Sequence, residues 1–249
     1  MLPVRVISLG RSVDRREIFA RRNSHLDFEF FDAIDGSALS QAWINASGLF
    51  EPGLPYTAGA YGVALSHLAQ WNEIIASGRV RTVAEDDAVF RQDFQRQAAQ
   101  ALASLPPDWD MVLWGWNFDS ILAFSPMPDM SPMVLISDEA QLRGALDQFQ
   151  AQAVPPHLLR LDRCFGLPCY SMSPAGARKF KAACFPLRKF SLYFPVLDRV
   201  IPNFGVDVAT NRVYSTANAY ISLPPLVATA NDRSSSTVQN NVYLAEPGT

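Results

Sequence analysis

Cysteine and histidine are scarce in this chain. Three cysteines (Cys164, Cys169 and Cys184) and three histidines are spread over 249 residues. An odd cysteine count argues against a disulfide framework, and the Cys164-x4-Cys169 pair has no neighbouring His or further Cys to complete a zinc site. Buried thiols in a reducing compartment are the expectation. Long apolar runs are also missing: nothing approaches the ~18 residues of a membrane span. The opening MLPVRVISLG is too short in its apolar run for a signal peptide and reads as a strand, so a cytoplasmic location is expected. Nor is there an excess charge of one sign. The 21 basic and 24 acidic residues give a net charge of −3, without the basic surplus of a nucleic-acid binder. Proline (18) and glycine (13) are too few for a disordered or collagen-like chain. What remains is 49% hydrophobic and long enough for a substantial core, with one domain expected over residues 1–249.

Apolar periodicity points to an α/β fold. Val4 to Ser8 is a short strand ended by Gly10. Ser12 is placed to cap a helix over Asp14 to Asn23, and Phe28 to Phe31 reads as a second strand before Asp32-Ala-Ile-Asp-Gly36. Strand, helix, strand is the opening of a parallel sheet. Residues 58–77 form the clearest helix, with Ala64, Leu68, Trp71 and Ile75 on one face and Gly78 as its stop. Thr82 to Ala84 is a strand that runs into Glu85-Asp86-Asp87. A helix from Asp93 to Leu105 and a strand from Asp110 to Trp114 follow. Residues 117–165 are less regular, with a helix near Asp138 to Gln150, and read as an insertion over one end of the sheet. Tyr170 to Ser173 is a strand, and Ser173-Pro174 starts a helix that reaches about Cys184. Val213-Tyr214 and Tyr220 to Ser222 are weak strand signals. Residues 231–249 read as a loop or tail, in which Ser234-Ser-Ser236 is either a flap over a ligand or a plain tail.

The three adjacent acids carry the most chemistry. They repel one another, so burying them without a cation is costly. They follow a strand directly, and ligands of open α/β sheets bind at the carboxyl ends of strands. In extended backbone Glu85 and Asp87 share a side and Asp86 takes the other. That spacing suits one hard divalent cation, Mn2+ or Mg2+, with positions left for phosphate and water. A solvated acidic turn is the plainer reading of the same tripeptide.

Several segments, taken in order, resemble glycosyltransferase family 25. Ala58-Gly-Ala-Tyr-Gly-Val-Ala-Leu-Ser-His67, then Trp71, then Thr82-Val-Ala-Glu-Asp-Asp87 is similar to the family's central signature. Val6-Ile-Ser-Leu-x-Arg-Ser-x-Asp-Arg15 and Phe30-Phe-Asp-Ala-Ile-Asp-Gly36 resemble its opening. Cys169 to Ala177, Gly205-Val-Asp207 and Pro224-Pro-Leu-Val227 resemble later elements, so the likeness covers about residues 4–236. Ala60 stands where the family often has Glu, Val63 where it often has Cys, and Gly205 where Pro precedes Val-Asp.

The resemblance implies a GT-A-type nucleotide-binding sandwich with a central, mostly parallel sheet. It implies inverting transfer of a hexose, galactose from UDP-galactose as the expected case, to a glycan acceptor such as lipopolysaccharide. A lipid-linked saccharide acceptor would bring the protein to the inner membrane as a peripheral partner. Asp87 first and Glu85 second are the expected metal ligands. Asp86 is expected to hold ribose or sugar, or to orient the loop. The loop after the first strand places Ser8, Arg11 and Arg15 near the nucleotide, where the arginines would meet phosphate or stack on the base. Asp35 is a nucleotide contact or a turn residue. His67 is a donor-site residue or a packed helical histidine. Trp71 is expected in the core, and of Trp114 and Trp116 one is a candidate to stack on a sugar. The general base is expected at Asp207, with Asp198 as second choice. The alternative is a catalytically silent nucleotide-sugar or glycan-binding domain. A metal-dependent phosphoesterase is a thin third reading, because that chemistry wants more carboxylates or His.

Overall fold

The computed structural model describes residues 3–127, 131–194 and 198–229. Its elements run β1 (Val4–Ser8), α1 (Val13–Arg22), β2 (Phe28–Asp32), a 3-10 turn (Gly36–Ala38), α2 (Gln41–Ala46), α3 (Ala58–Ser77), β3 (Arg81–Glu85) and β4 (Ala88–Phe90). There follow α4 (Phe94–Ala103), β5 (Met111–Leu113), β6 (Ile121–Ser125), β7 (Met133–Ile136), α5 (Glu139–Gly144), α6 (Leu146–Gln150), β8 (His157–Cys164) and β9 (Cys169–Met172). The chain then forms α7 (Pro174–Cys184), β10 (Ser191–Phe194), β11 (Arg199–Pro202), α8 (Val206–Thr210), β12 (Ala219–Leu223) and β13 (Val227–Thr229).

Nine strands make one sheet in the order β2-β1-β3-β9-β5-β12-β8-β6-β7. β1 pairs parallel with β2 and β3, and β5 parallel with β12; β9 enters antiparallel between β3 and β5. The architecture is the expected α/β sandwich, around a sheet that is mixed, parallel at β2-β1-β3 and β5-β12 and antiparallel at its other pairings. Period-2 alternation sends each strand's side chains to two cores. Ile7, Val83, Leu113 and Tyr170 pack on one face with α3 and α7; Val6, Ala84, Val112 and Cys169 pack on the other with α1 and α4. All three cysteines are free and buried. Among the described residues no helix is long and apolar enough to cross a membrane.

Local signals and tertiary demands agree at most helix ends. The Thr57 side chain accepts from Ala60 N at the start of α3, and Gly78 closes it in the left-handed conformation at φ 64°. Ser173 caps α7 ahead of Pro174 as its sequence suggests. Ser12 precedes α1 but makes no side-chain cap bond. α3 is buried well beyond the single stripe in its sequence: Tyr61, Leu65, Ser66, His67, Gln70 and Ile74 are buried along with Ala64, Leu68 and Trp71.

Elsewhere the structure differs from the sequence pattern. Within residues 117–165, β6, β7 and β8 continue the sheet beyond β12, while Leu142, Leu146 and Phe149 of the two short helices pack against the core. The helix expected over 138–150 is two short ones. Val213 and Tyr214 lie in turns, not a strand, and their apolar side chains are buried there. The stretch 231–249, with Ser234 to Ser236, lies outside the described residues.

Candidate functional site

The chain leaves β1 for β2 on one side and returns to β3 on the other, so a crevice opens at the carboxyl ends of β1 and β3. Register places Ile7 opposite Glu85 at this edge. Glu85 is the last residue of β3, and Asp86 and Asp87 form the turn into β4. β4 pairs with β13, with Ala88 opposite Thr229. This brings the Thr229 side chain to Asp87 as a hydrogen-bond partner.

The three acids have different surroundings. Asp86 accepts from Ser8 Oγ at 2.7 Å and from Arg15 Nε at 3.0 Å, and Arg15 Nη2 pairs with the same carboxylate. Burial opposes the charge of Arg15, but the bond to Asp86 and the charges of Asp86, Asp87 and Glu85 raise its pKa overall. Glu85 Oε1 lies 3.3 Å from His67 Nε2. Asp87 Oδ1 is buried with no hydrogen-bond partner. Burial first, and then the charge of Glu85, push the Asp87 carboxyl up to about 7, against the pull of Arg15. Two carboxylates, one with a bare oxygen, are what Mg2+ or Mn2+ asks of a protein when phosphates and water complete the shell. Among the described residues no group of three or more His, Cys, Asp or Glu side chains is placed to hold a metal ion.

Beside the crevice lies a cavity of about 300 Å3, lined by Ile7, Leu9, Arg11, Asp35, Val63 and Ser66 among others. Along one wall the Asp35-Gly36 turn sits hard against the start of α3. A Cβ on Gly36 would overlap the Ala58 carbonyl, and one on Gly62 would overlap that of Ile34. Arg11 and Asp35 pair at 3.0 Å at its rim. Hydrogen bonds from Ser37, with Arg11 adding to them, hold the Asp35 carboxyl below its usual range. Ser66 Oγ is already committed, donating to Gly62 O and accepting from Ile34 N.

Asp207 stands on α8, near enough to Glu85 to feel its charge. Its Oδ2 accepts from Gly166 N at 3.0 Å, in a loop where Gly166 adopts φ +80°. Burial raises its pKa, the Gly166 N–H opposes, and the charge of Glu85 raises it further. Asp207 and Glu85 therefore share one electrostatic environment. Tyr56 belongs to it too: burial and then Asp207 raise its pKa, and its hydroxyl donates to Asn203 Oδ1. Asp198 is placed differently. It is exposed on the β10–β11 hairpin at φ 46°, and its carboxylate accepts from Tyr193 Oη at 2.9 Å.

Of the residues singled out in the sequence, Ser8, Arg15, His67, Glu85, Asp86 and Asp87 lie together at the crevice, Asp207 stands near enough for the charge of Glu85 to reach it, and Arg11 and Asp35 line the adjoining cavity. Ser8 and Arg15 reach it through Asp86. Trp114 and Trp116 are both buried, so neither presents a face for stacking a sugar. Trp114 donates instead to Ser171 Oγ at 2.8 Å. Arg16 donates to Ser8 O and lies over Phe30. Tyr170, Thr229 and Gly166 join the site without a sequence signal of their own, since each arrives by long-range pairing.

The family model for glycosyltransferase family 25 (LPS biosynthesis protein) matches residues 1–193. Procollagen galactosyltransferase 1 of Danio rerio is 34% identical over 124 residues, covering 44% of this chain and 20% of that protein. A glycosyltransferase 25 family member of Aedes aegypti is 34% identical over 123 residues, with the same two shares. A human relative named inactive glycosyltransferase 25 family member 3 is 32% identical over 124 residues, 44% of this chain and 21% of its own length. The chain thus matches about a fifth of the length of these relatives. With the model spanning more than three quarters of its residues, the chain belongs to glycosyltransferase family 25.

Proposed function

We propose that this protein is an inverting glycosyltransferase that moves a hexose from a UDP-sugar, with galactose as the expected sugar, to a hydroxyl of a glycan such as lipopolysaccharide. The observation that carries the proposal is the bare, buried Asp87 Oδ1 beside Glu85, at the sheet edge where β1 and β3 diverge. Asp87 and Glu85 would hold a divalent cation, Mn2+ by preference, which when bound supplies charge neutralisation for a diphosphate leaving group. The cavity beside β1 takes the nucleoside, with Arg11 and Asp35 at its rim. Family membership and a relative named for galactosyl transfer support the sugar chemistry.

Asp207 serves as general base. In the transfer the acceptor oxygen forms a bond to the anomeric carbon while the bond from that carbon to the UDP oxygen breaks. The bonding electrons leave with UDP, and the acceptor proton passes to Asp207. A carboxylate whose pKa is raised by burial is better matched to that proton than an exposed one. Arg15 and Ser8 hold Asp86 and so fix the turn that carries Asp87.

A silent donor-binding domain is the second reading, favoured by relatives named inactive. One experiment separates the two. UDP-galactose, UDP-glucose and UDP-N-acetylglucosamine are titrated in Mn2+ with and without chelator, and hydrolysis is followed for wild type and Asp87→Ala. Metal-dependent binding and turnover of one donor, both lost in Asp87→Ala, is the expected result. Binding without turnover over a panel of glycan acceptors would establish the silent reading. No binding by folded protein would refute both.

A further inference from the structure

A buried hydrogen-bond chain runs from the core to the acids. Trp71 Nε1 donates to Tyr170 Oη at 3.0 Å, Tyr170 Oη lies 3.0 Å from His67 Nδ1, and His67 Nε2 lies 3.3 Å from Glu85 Oε1. Trp71, Tyr170 and His67 are each fully buried. The direction of the chain follows from counting hydrogens. An indole N–H only donates. Tyr170 Oη accepts from it and holds one hydrogen of its own. Among the described residues the remaining partner of that hydroxyl is His67 Nδ1. Were Nδ1 to donate instead, a buried hydroxyl hydrogen would be left without an acceptor, at a cost of about 1–3 kcal/mol. So Nδ1 accepts, the ring hydrogen sits on Nε2, and that hydrogen points at a carboxylate.

We propose that Trp71 and Tyr170 are positioning residues that hold His67 in its Nε2–H tautomer, so that the imidazole donates to Glu85 and fixes the orientation of its carboxylate. The consequence for donor binding rests on reading Glu85 as a cation ligand; the tautomer itself does not. The arrangement has the form of outer partners that orient a ligating side chain, here two steps deep. β9 contributes because it lies next to β3, with Tyr170 paired to Val83, two residues before Glu85.

The test is nitrogen-resolved NMR of 15N-histidine protein, with the His67 signals identified by their loss in His67→Gln. A pyrrole-type Nε2 and a pyridine-type Nδ1 are expected in the metal-free wild type. The opposite tautomer, or two pyrrole-type nitrogens, would overturn the proposal whatever the donor does. Tyr170→Phe is expected to lose the fixed tautomer. It should also weaken Mn2+-dependent UDP-galactose binding by about 10–100-fold, the usual cost of removing an orienting partner. His67→Ala should weaken it equally, while His67→Gln, which can still offer an N–H to Glu85, should recover most of it. Equal losses in His67→Gln and His67→Ala would show that packing alone matters and would sink the positioning role. If Tyr170→Phe does not fold, the wild-type tautomer and the comparison of His67→Gln with His67→Ala still decide the proposal. Wild type with the expected tautomer but no donor binding would refute the proposed function and leave the hydrogen-bond assignment standing.

Discussion

On one side of the turn after β3, Asp86 is supplied with donors from Ser8 and from Arg15. On the other side Asp87, its neighbour, has an oxygen that is buried with none. Both carboxylates belong to the same acidic tripeptide, and the difference lies in what packs against each. α1 brings a guanidinium to Asp86, whereas β13 brings only Thr229 to Asp87. A satisfied carboxylate is a structural part. An unsatisfied one is a standing demand for a cation or a proton. The turn thus carries one carboxylate that its packing supplies with donors and one with an oxygen that it does not.

The largest effect is expected at Asp87. Asp87→Ala should reduce donor turnover by roughly 10^4-fold, the equivalent of several kcal/mol of leaving-group stabilisation. Its thermal melt should stay close to that of wild type, because the one bond lost, that from Thr229, is offset by removal of a buried carboxyl with an unpartnered oxygen. A large fall in melting temperature would show that Asp87 is structural and erase the distinction. Asp207→Asn should lower kcat by about 10^3-fold with little change in donor affinity, as loss of a general base does. Measuring kcat and donor Kd together checks this.

Arg15→Ala probes the donor-rich side. It leaves Asp86 short of its strongest partner, so stability should fall by about 1–3 kcal/mol in a urea melt. Asp86→Asn in the same background should recover part of that loss by removing the unpaired charge.

The pH dependence should be smaller and should differ in kind. Asp87 has a folded-state pKa of about 7, above its value in an unfolded chain. The folded state therefore holds the extra proton, so metal-free stability is fullest at acid pH and declines as pH rises from about 4 to about 7. Cation affinity should run the opposite way, improving about tenfold per pH unit below 7 as one proton is displaced, and levelling above it. Urea melts and Mn2+ titrations at pH 5.5 and 7.5 check both signs, and Asp87→Asn should flatten both. The smallest effect is expected at the exposed Asp198. Asp198→Asn should leave stability within about 0.5 kcal/mol and turnover nearly unchanged, which distinguishes it from Asp207.

Much of this was legible in the residues alone. The strand–helix–strand opening, the start and stop of α3, and the Ser173-Pro174 cap of α7 are local events, set by side chains within a few positions of the backbone they organise. The acids at the end of β3 were visible for the same reason. The antiparallel entry of β9 between β3 and β5 was not, because a short apolar run pairs equally well in either direction and only the burial of both faces selects one. The strands of residues 117–165 were hidden in a proline-broken stretch whose pairing partner, β12, lies far along the chain.

The sequence by itself determined the strand–helix–strand opening, where α3 begins and ends, and which acids end a strand, since these depend on neighbours along the chain. Tertiary structure decided what each acid means. Arg15 was brought to Asp86, the Trp71–Tyr170–His67 chain to Glu85, and Thr229 with a bare oxygen to Asp87. Hydrogen-bond supply and burial are properties of packing, and packing joins residues that no local pattern connects.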